Sequence, residues 1–337
     1  MRAFEAYQVK GLRLKNRIVM PPMCMYSADS SGKANDFHDI HYTSRAMGGV
    51  GLIIVEAAGI IANGRISEND LGLWNNEQRD ALVPIVKKVH MIGSKIAIQL
   101  AHSGRKHIGE SEMPVAPSAI AFDENSRVPI ELSVEQIAEV VNNFRLAAIR
   151  ADEAGFDAVE IHCAHGYLLH QFLSPLSNQR EDDYGGSLMN RVRILKEVLS
   201  SVREVFSEDK PILLRISATD YIEGGLDCED LIQVVNQIKE YVDIVHVSSA
   251  GLLTVPMDVY PGYQLSYSQK IKQACNIDTI AVGLITNIEM VEEIISNNRA
   301  DLVALGRELL RNPYFVYSAA RNKNLDIDYP EQYRRAF

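Results

Sequence analysis

Side chains of the kinds that move protons and bind oxygen atoms follow one short apolar run. The run Ala158–His162 ends in an imidazole, and His165 and Tyr167 come soon after it. Two imidazoles can donate hydrogen bonds to one substrate oxygen, and a nearby phenol can supply a proton. Because burying three polar side chains without partners is unfavourable, this crowding indicates a catalytic site rather than three packing residues.

The spacing of His162 and His165, which His38 and His41 repeat, also fits a metal-dependent hydrolase or aldolase. Two ligands three residues apart at a strand end diverge, and no carboxylate or third histidine accompanies the pair. A Schiff-base aldolase lacks an obvious nucleophile, because no lysine ends an apolar run and Lys106 lies in a loop. We therefore predict no metal site and keep the metal-dependent enzyme as an alternative.

A second group of residues fits a phosphate. Gly283 and Gly306 each follow an apolar run, and Arg307 comes next. Glycines let backbone N–H groups approach an anion, and an arginine neutralises it with a fork of donors. Taken singly, the glycines could equally form turns and the arginine a surface ion pair. Further donors and one soft thiol lie near the ends of other runs: Gln99, Arg215 and Cys24. Together these residues predict a phosphorylated organic cofactor that carries the chemistry.

Eight short apolar runs position these residues. They span 18–20, 51–56, 95–100, 158–162, 212–216, 244–247, 279–282 and 302–305. The runs are continuous and β-branched, which is typical of parallel strands buried on both faces, and segments of helical period separate them. No G-x-G-x-x-G follows a run, which disfavours a doubly wound sheet. The sequence predicts a single (β/α)8 TIM barrel with extended loops at 104–133 and 251–267 and a site at the C-terminal ends of the strands.

The composition is that of an ordinary globular protein. The 337 residues are 47% hydrophobic and 23% charged, and 44 acidic against 34 basic residues give a formal net charge of −10. That charge disfavours binding to nucleic acid. Four scattered cysteines without a C-x-x-C pair fit reduced thiols in a cytoplasm. We see no secretory leader and no apolar stretch long enough for a bilayer, so we expect no membrane association.

Three segments carry a family resemblance. They are LKNRIVMPPM at 14–23, SPLSNQREDDYGGSLMNR at 174–191, and Gly306-Arg307. Together they resemble the old yellow enzyme family of FMN-dependent ene-reductases, and the likeness extends over essentially the whole chain. The pair Cys24 and Tyr26 is similar to the bacterial thermophilic-like class of that family, the NADPH dehydrogenase type.

The resemblance implies a reaction in two halves. NADPH would give a hydride to N5 of a bound FMN, and the hydride would then reach the β-carbon of an α,β-unsaturated carbonyl compound. Quinones, nitro compounds and nitrate esters are further candidate substrates. His162 and His165 would bind the carbonyl oxygen, Tyr167 would donate the proton, and Cys24 would tune the flavin. A flavin-binding redox sensor that works through Cys24 is the non-catalytic alternative.

The resemblance also implies cofactor-binding residues and an oligomer. The residues expected to line or bind FMN are Pro21, Pro22, Met23, Cys24, Ala57, Gln99, Arg215, Gly283, Gly306 and Arg307. Tyr26 would face the substrate, and Arg335 would reach into the site of a neighbouring subunit in a homodimer or homotetramer. Residues 1–337 would then form one FMN-binding domain, whose tail from about residue 322 to 337 lies at the subunit interface.

Overall fold

Eight parallel strands close into a barrel, as the sequence predicts. In the computed structural model, which describes residues 1–110 and 112–336, neighbouring barrel strands follow chain order, and the first, Ile18–Met20, pairs with the last, Leu302–Ala304. The bounds of the eight predicted runs differ from the observed strands by one to three residues where they differ at all. The (β/α)8 fold is therefore confirmed.

The strands are β1 (Tyr7–Val9), β2 (Leu12–Leu14), β3 (Ile18–Met20), β4 (Leu52–Gly59), β5 (Lys95–Ala101), β6 (Val115–Ala116), β7 (Ile130–Glu131), β8 (Ala158–Cys163), β9 (Ile212–Ser217), β10 (Ile244–Ser248), β11 (Asp278–Ala281) and β12 (Leu302–Ala304). The helices are α1 (Asp36–Met47), α2 (Asn76–Met91), α3 (Val134–Ala154), α4 (Leu168–Leu173), α5 (Leu188–Arg203), α6 (Cys228–Ile238), α7 (Leu265–Cys275), α8 (Ile288–Ser296), α9 (Gly306–Arg311) and α10 (Phe315–Asn322). Short 3-10 helices span Arg2–Phe4, Ala62–Gly64, Gly104–Lys106 and Glu331–Ala336. The barrel consists of β3, β4, β5 and β8 to β12.

The barrel interior changes from apolar to polar along the strands. Its apolar layers contain Val19, Leu52, Ile54, Ala97, Ala158, Leu213, Ile244, Ile280, Leu302 and Ala304. None of these side chains is more than 1% exposed. Inward-facing positions recur every second residue along a strand, and two residues further on the inward side chains are Gln99, Glu160, Arg215 and His246. The apolar layers hold the barrel together, and the polar layer lies on the side of the site.

A hairpin that the sequence analysis did not predict packs against the apolar layers. Strands β1 and β2 pair in antiparallel fashion, and Tyr7, Leu12 and Leu14 belong to the same apolar cluster as the barrel interior. The turn places Lys10 at a φ of 47° and is followed by Gly11. A glycine between two short alternating runs is a hairpin signal. Strands β6 and β7, also unpredicted, form a second small sheet within the 104–133 loop.

Polar side chains begin the helices that pack around the barrel. Ser133, Ser187 and Asp227 each accept a hydrogen bond from the first turn of α3, α5 and α6, respectively. A cap of this kind contributes on the order of 1 kcal/mol. Across residues 1–110 and 112–336, we find no helix with the length and hydropathy needed to cross a membrane.

Candidate active site

The predicted catalytic residues meet at the C-terminal end of β8. His162 is the next-to-last residue of that strand, in register with Arg215 of β9, and Arg215 pairs in turn with His246 of β10. The centres of the His162 and His165 rings lie 5.2 Å apart, and the Tyr167 ring lies 4.8 Å from that of His162. The spacing along the sequence therefore corresponds to one compact group of side chains, which we call the His-His-Tyr cluster.

A left-handed turn aims the cluster. His165 has a φ of 57° and Gly166 a φ of 71°. Residues other than glycine rarely adopt this left-handed backbone region. The His165 N–H donates to Ser217 Oγ at 2.9 Å, and the Gly166 N–H donates to His170 Nδ1 at 2.9 Å. A Cβ on Gly166 would lie 2.2 Å from the Gly251 carbonyl oxygen. The 251–267 loop therefore packs directly against the turn, and only glycine fits there.

The hydrogen bonds of His162 leave its Nε2–H group available to a ligand. His162 Nδ1 accepts a hydrogen bond from the Ala164 N–H at 3.2 Å, so the proton of the neutral ring is assigned to Nε2. His165 Nε2 lies 2.7 Å from Ser248 Oγ. Burial, aided by the positive charge of Arg215, lowers the pKa of both histidines well below its usual value. Both rings are thus neutral at pH 7 and can each offer one N–H donor.

Tyr167 is kept protonated by its surroundings. Burial raises the pKa of its phenol, and the negative charge of the Asp70 carboxylate raises it further. A phenol that holds its proton at neutral pH, in contact with the neutral His162 ring, can act as a general acid.

Cys24 lies beside the cluster as a thiol. Burial raises the pKa of its sulfur, with a further contribution from the Asp70 carboxylate. Because thiolates rather than thiols are the reactive form, this environment weighs against the redox-sensor alternative. Tyr26, two residues further on, has a φ of 52° and is 52% exposed, so its ring borders solvent at the mouth of the site.

One cavity joins the residues predicted to hold a phosphate. A space of about 200 Å³ is lined by Arg215, Gly283, Gly306 and Arg307. Gly283 has a φ of 139°, and a Cβ there would lie 3.2 Å from Gln264 Nε2. A residue without a Cβ is therefore favoured at this position on both conformational and steric grounds. The Nε of Arg215 is buried and has no hydrogen-bond partner among the described residues, as expected of a donor that awaits a ligand.

The other predicted cofactor residues border the same region. A Cβ on Gly306 would meet only Met23 Sδ, at 3.5 Å, and Pro21 Cγ, at 3.7 Å. Cys24 is in hydrogen-bonding contact with the backbone of Ala57. The residues at the ends of β3, β4 and β12 therefore surround one space, with half-buried Pro22 next to Met23. An elongated aromatic cofactor with a terminal phosphate fits this arrangement.

Arg335 is the predicted site residue that its own chain does not bring to the cluster. It lies in the exposed 3-10 helix Glu331–Ala336. Tyr333 of that helix lines a cavity of about 600 Å³ together with Lys15 and Gly93. Lys15 and Gly93 precede β3 and β5, so this cavity lies at the amino-terminal ends of the strands and contains none of the other predicted site residues. Phe337, the last residue of the predicted interface tail, lies outside the described residues.

Several polar residues of the site were missed by the sequence analysis. Lys106 donates to the His165 carbonyl oxygen at 2.9 Å and also to that of Gly251. Glu160 and His246 stand in the interior polar layer. Both are charged or polar residues inside otherwise apolar strands, and this pattern in the sequence could have identified them as site residues. Asp70 lies in a loop and had no such signal.

The residues described do not form a metal centre. In 1–110 and 112–336, no group of three or more His, Cys, Asp or Glu side chains is placed to hold a metal ion. His38 and His41 lie on α1, where burial lowers the pKa of each to about 4. His38 Nδ1 contacts the cap residue Asn35. This second His-x-x-His pair is thus part of the helix packing.

Buried histidines predict acid sensitivity. Burial and the charge of His107 lower the pKa of His102 to about 3, so between pH 6.5 and 3 the unfolded chain binds a proton there and the folded chain does not. The free energy of unfolding must then fall as the pH drops from 7 to 5, by about 2 kcal/mol for this residue. Glu56, whose pKa burial raises to about 7, opposes this trend because it gains a proton in the folded state.

The variant His102→Asn isolates this effect, since Asn can still accept the Gly104 N–H that His102 Nδ1 accepts at 3.0 Å. In urea unfolding at pH 7 and pH 5, the variant is expected to lose about 2 kcal/mol less stability than the wild type. Equal losses in the two proteins would contradict the expectation.

Comparison with known proteins agrees with this geometry. Residues 2–326 match the NADH:flavin oxidoreductase / NADH oxidase family. An NADPH dehydrogenase of Clostridium acetobutylicum is 61% identical, with all of both chains covered. An NADPH dehydrogenase of Bacillus subtilis is 50% identical over 100% of this chain and 99% of its own. The structure of morphinone reductase is similar with a TM-score of 0.82 at 28% identity, over 98% of this chain and 91% of that one.

These matches confirm three expectations from the sequence: the old yellow enzyme resemblance, an oxidoreductase, and FMN as cofactor with NADPH as reductant. They also leave the metal-dependent hydrolase or aldolase without support. Since the family match covers nearly the whole chain, the protein belongs to the NADH:flavin oxidoreductase / NADH oxidase family, that of the old yellow enzymes.

Proposed function

We propose that the protein is an NADPH-dependent ene-reductase that reduces the activated C=C bond of α,β-unsaturated carbonyl compounds. Quinones, nitro compounds and nitrate esters would be further substrates. The observation that carries the proposal is the His-His-Tyr cluster. The neutral His162 ring lies 5.2 Å from the neutral His165 ring and 4.8 Å from the protonated Tyr167 ring, beside the cavity that fits the phosphate end of the cofactor.

The chain's own residues would perform two tasks. When bound, FMN supplies hydride transfer between NADPH and the substrate's β-carbon. His162 and His165 donate hydrogen bonds to the carbonyl oxygen, and these bonds strengthen as negative charge develops there. Tyr167 would give its proton to the α-carbon. His165 must first exchange its contact with Ser248 Oγ, or use its other ring nitrogen.

The remaining expected roles support the same activity. Pro21, Pro22, Met23, Cys24 and Ala57 would pack along the flavin ring. Gln99 and Arg215 would bind its polar edge, and Gly283, Gly306 and Arg307 would bind its phosphate. Tyr26 would close the substrate side of the site.

We propose that the protein forms a homodimer or homotetramer in the cytoplasm. Arg335 and the tail of one subunit would complete the site of the next. The position of Arg335, which is exposed and away from the cluster of its own chain, supports a role toward a neighbour.

A visible absorption spectrum of the purified protein tests the proposed function. We expect a flavin spectrum that bleaches when NADPH is added without oxygen and returns when cyclohexenone is added. A flavin that NADPH reduces but that no enone reoxidises would contradict the ene-reductase assignment. A colourless protein that takes up no added FMN would contradict the assigned cofactor site.

A further inference from the structure

Four polar side chains lie inside the barrel next to its apolar layers, on the side of the site. They are Gln99, Glu160, Arg215 and His246 on the consecutive strands β5, β8, β9 and β10. Their exposed fractions are 2%, 0%, 8% and 0%. We call these four residues the polar layer. Two of its members, Gln99 and Arg215, are the residues expected to contact the flavin, whereas Glu160 and His246 have no role in the reaction described above.

Glu160 holds both of its neighbours in defined orientations. Its Oε1 accepts a hydrogen bond from Gln99 Nε2 at 2.8 Å, and its Oε2 lies 2.8 Å from His246 Nδ1. A carboxylate only accepts hydrogen bonds. The Gln99 amide must therefore turn its NH2 group toward Glu160 and its carbonyl oxygen away from it, where that oxygen can accept from an N–H group of a ligand.

Glu160 also offsets the charge of Arg215. The Arg215 guanidinium is buried, which lowers its pKa, and Glu160 is the strongest of the groups that act in the opposite direction. Among the described residues, Arg215 has no carboxylate within 4.0 Å, and its Nε has no hydrogen-bond partner. Burial weakens dielectric screening, so the Glu160 carboxylate acts on Arg215 across the layer without direct contact. The polar layer thus carries one positive and one negative charge.

We propose that Glu160 is a positioning residue that sets the reduction potential of the flavin. It does so by partly cancelling the positive charge of Arg215, and it separately supports FMN binding by fixing the amide of Gln99. The proposal rests on the flavin site described under the proposed function. Arg215 favours the extra negative charge of the reduced cofactor, and Glu160 disfavours it. The balance matters because the same flavin must accept a hydride easily and also give it up easily.

The variant Glu160→Gln tests the charge. It keeps the size of the side chain and removes its negative charge, so Arg215 acts unopposed. We expect the protein to bind reduced FMN about tenfold more tightly relative to oxidised FMN, which corresponds to a midpoint potential about 30 mV higher for a two-electron couple. An anaerobic dye-equilibration titration measures the potential directly. In stopped-flow experiments, reduction by NADPH should be faster and reoxidation by cyclohexenone slower.

Two further variants separate charge from hydrogen bonding and from general loss of a buried carboxylate. Glu160→Asp keeps the charge but is too short to reach both Gln99 and His246, so it should retain the wild-type potential while FMN binds more weakly. Asp301→Asn is the control. Asp301 is a largely buried carboxylate just before β12, at the amino-terminal end of the strands, where it accepts from Lys272 Nζ and the Thr279 N–H and contacts no member of the polar layer. The midpoint potential of the flavin in this control variant should stay close to that in the wild type.

The results separate this inference from the proposed function. A wild-type protein that binds no FMN would overturn the proposed function. A wild-type protein that binds FMN, with a Glu160→Gln potential that is unchanged or lower, would overturn the inference alone. If Glu160→Gln does not fold, the flavin potential of Glu160→Asp tests the inference instead. If Glu160→Asp keeps the wild-type potential and binds FMN more weakly, the inference is supported. If its potential lies about 30 mV above that of the wild type, the shift expected for Glu160→Gln, the inference is contradicted.

Discussion

Tyr167→Phe is expected to slow reduction of an enone by about 10²- to 10⁴-fold, the range that a positioned general acid contributes. The variant removes only the hydroxyl, so the ring contact with His162 remains. Burial and the nearby Asp70 carboxylate keep the Tyr167 phenol protonated, so we expect it to supply the proton to the α-carbon. Reduction of the flavin by NADPH involves no such proton and should be unchanged.

Stopped-flow measurement of each half-reaction tests this expectation. Tyr184→Phe is the matched control, since the Tyr184 hydroxyl donates to Glu197 at 3.1 Å outside the site and its loss should leave both rates alone. If Tyr167→Phe slows both half-reactions equally, the residue shapes the site and does not donate the proton.

Replacing His162 and His165 together by Ala is expected to lower the rate of enone reduction by at least the roughly 10²- to 10³-fold attributed to one oxyanion donor. The two losses need not multiply, because residues that act as a unit are not additive. The same double variant should bind phenols much more weakly, since a phenolate oxygen would accept the hydrogen bonds that the two imidazoles offer to a substrate oxygen.

Phenol binding can be followed as a long-wavelength absorption band of the flavin complex. His102→Asn provides a buried histidine outside the cluster, and we expect it to retain wild-type phenol affinity. Unchanged affinity in the double Ala variant would remove the two histidines from the substrate site.

The barrel could be predicted from the sequence because its strands are buried on both faces. Runs such as Ile18–Met20 and Leu302–Leu305 are continuous and apolar, and a parallel barrel is one of few folds that cover both faces of many such strands. The β1–β2 hairpin was missed because its strands alternate between apolar and polar residues over only three positions each, which is too short a pattern to indicate a strand. The β6–β7 pair has only two residues in each strand, and its formation depends on the packing of the whole loop.

The candidate site was predictable where chemistry is concentrated at strand ends. His162, His165 and Tyr167 lie within six residues of sequence, and the structure places them in one cluster. The roles of Lys106 and Glu160 were not predictable in this way. Lys106 reaches the His165 carbonyl across 59 positions, and Glu160 reaches His246 across 86. Such contacts depend on how strands are ordered around the barrel, which residue types alone do not specify.

The pairing of β3 with β12 bears on how the chain is synthesised. Residues 18–20 leave the ribosome early, but they must wait for residues 302–304 before the barrel can close. Until then the nascent chain has two open sheet edges, the kind of surface that pairs with other chains. A product that stops before β12 should therefore aggregate, even though it contains the whole His-His-Tyr cluster.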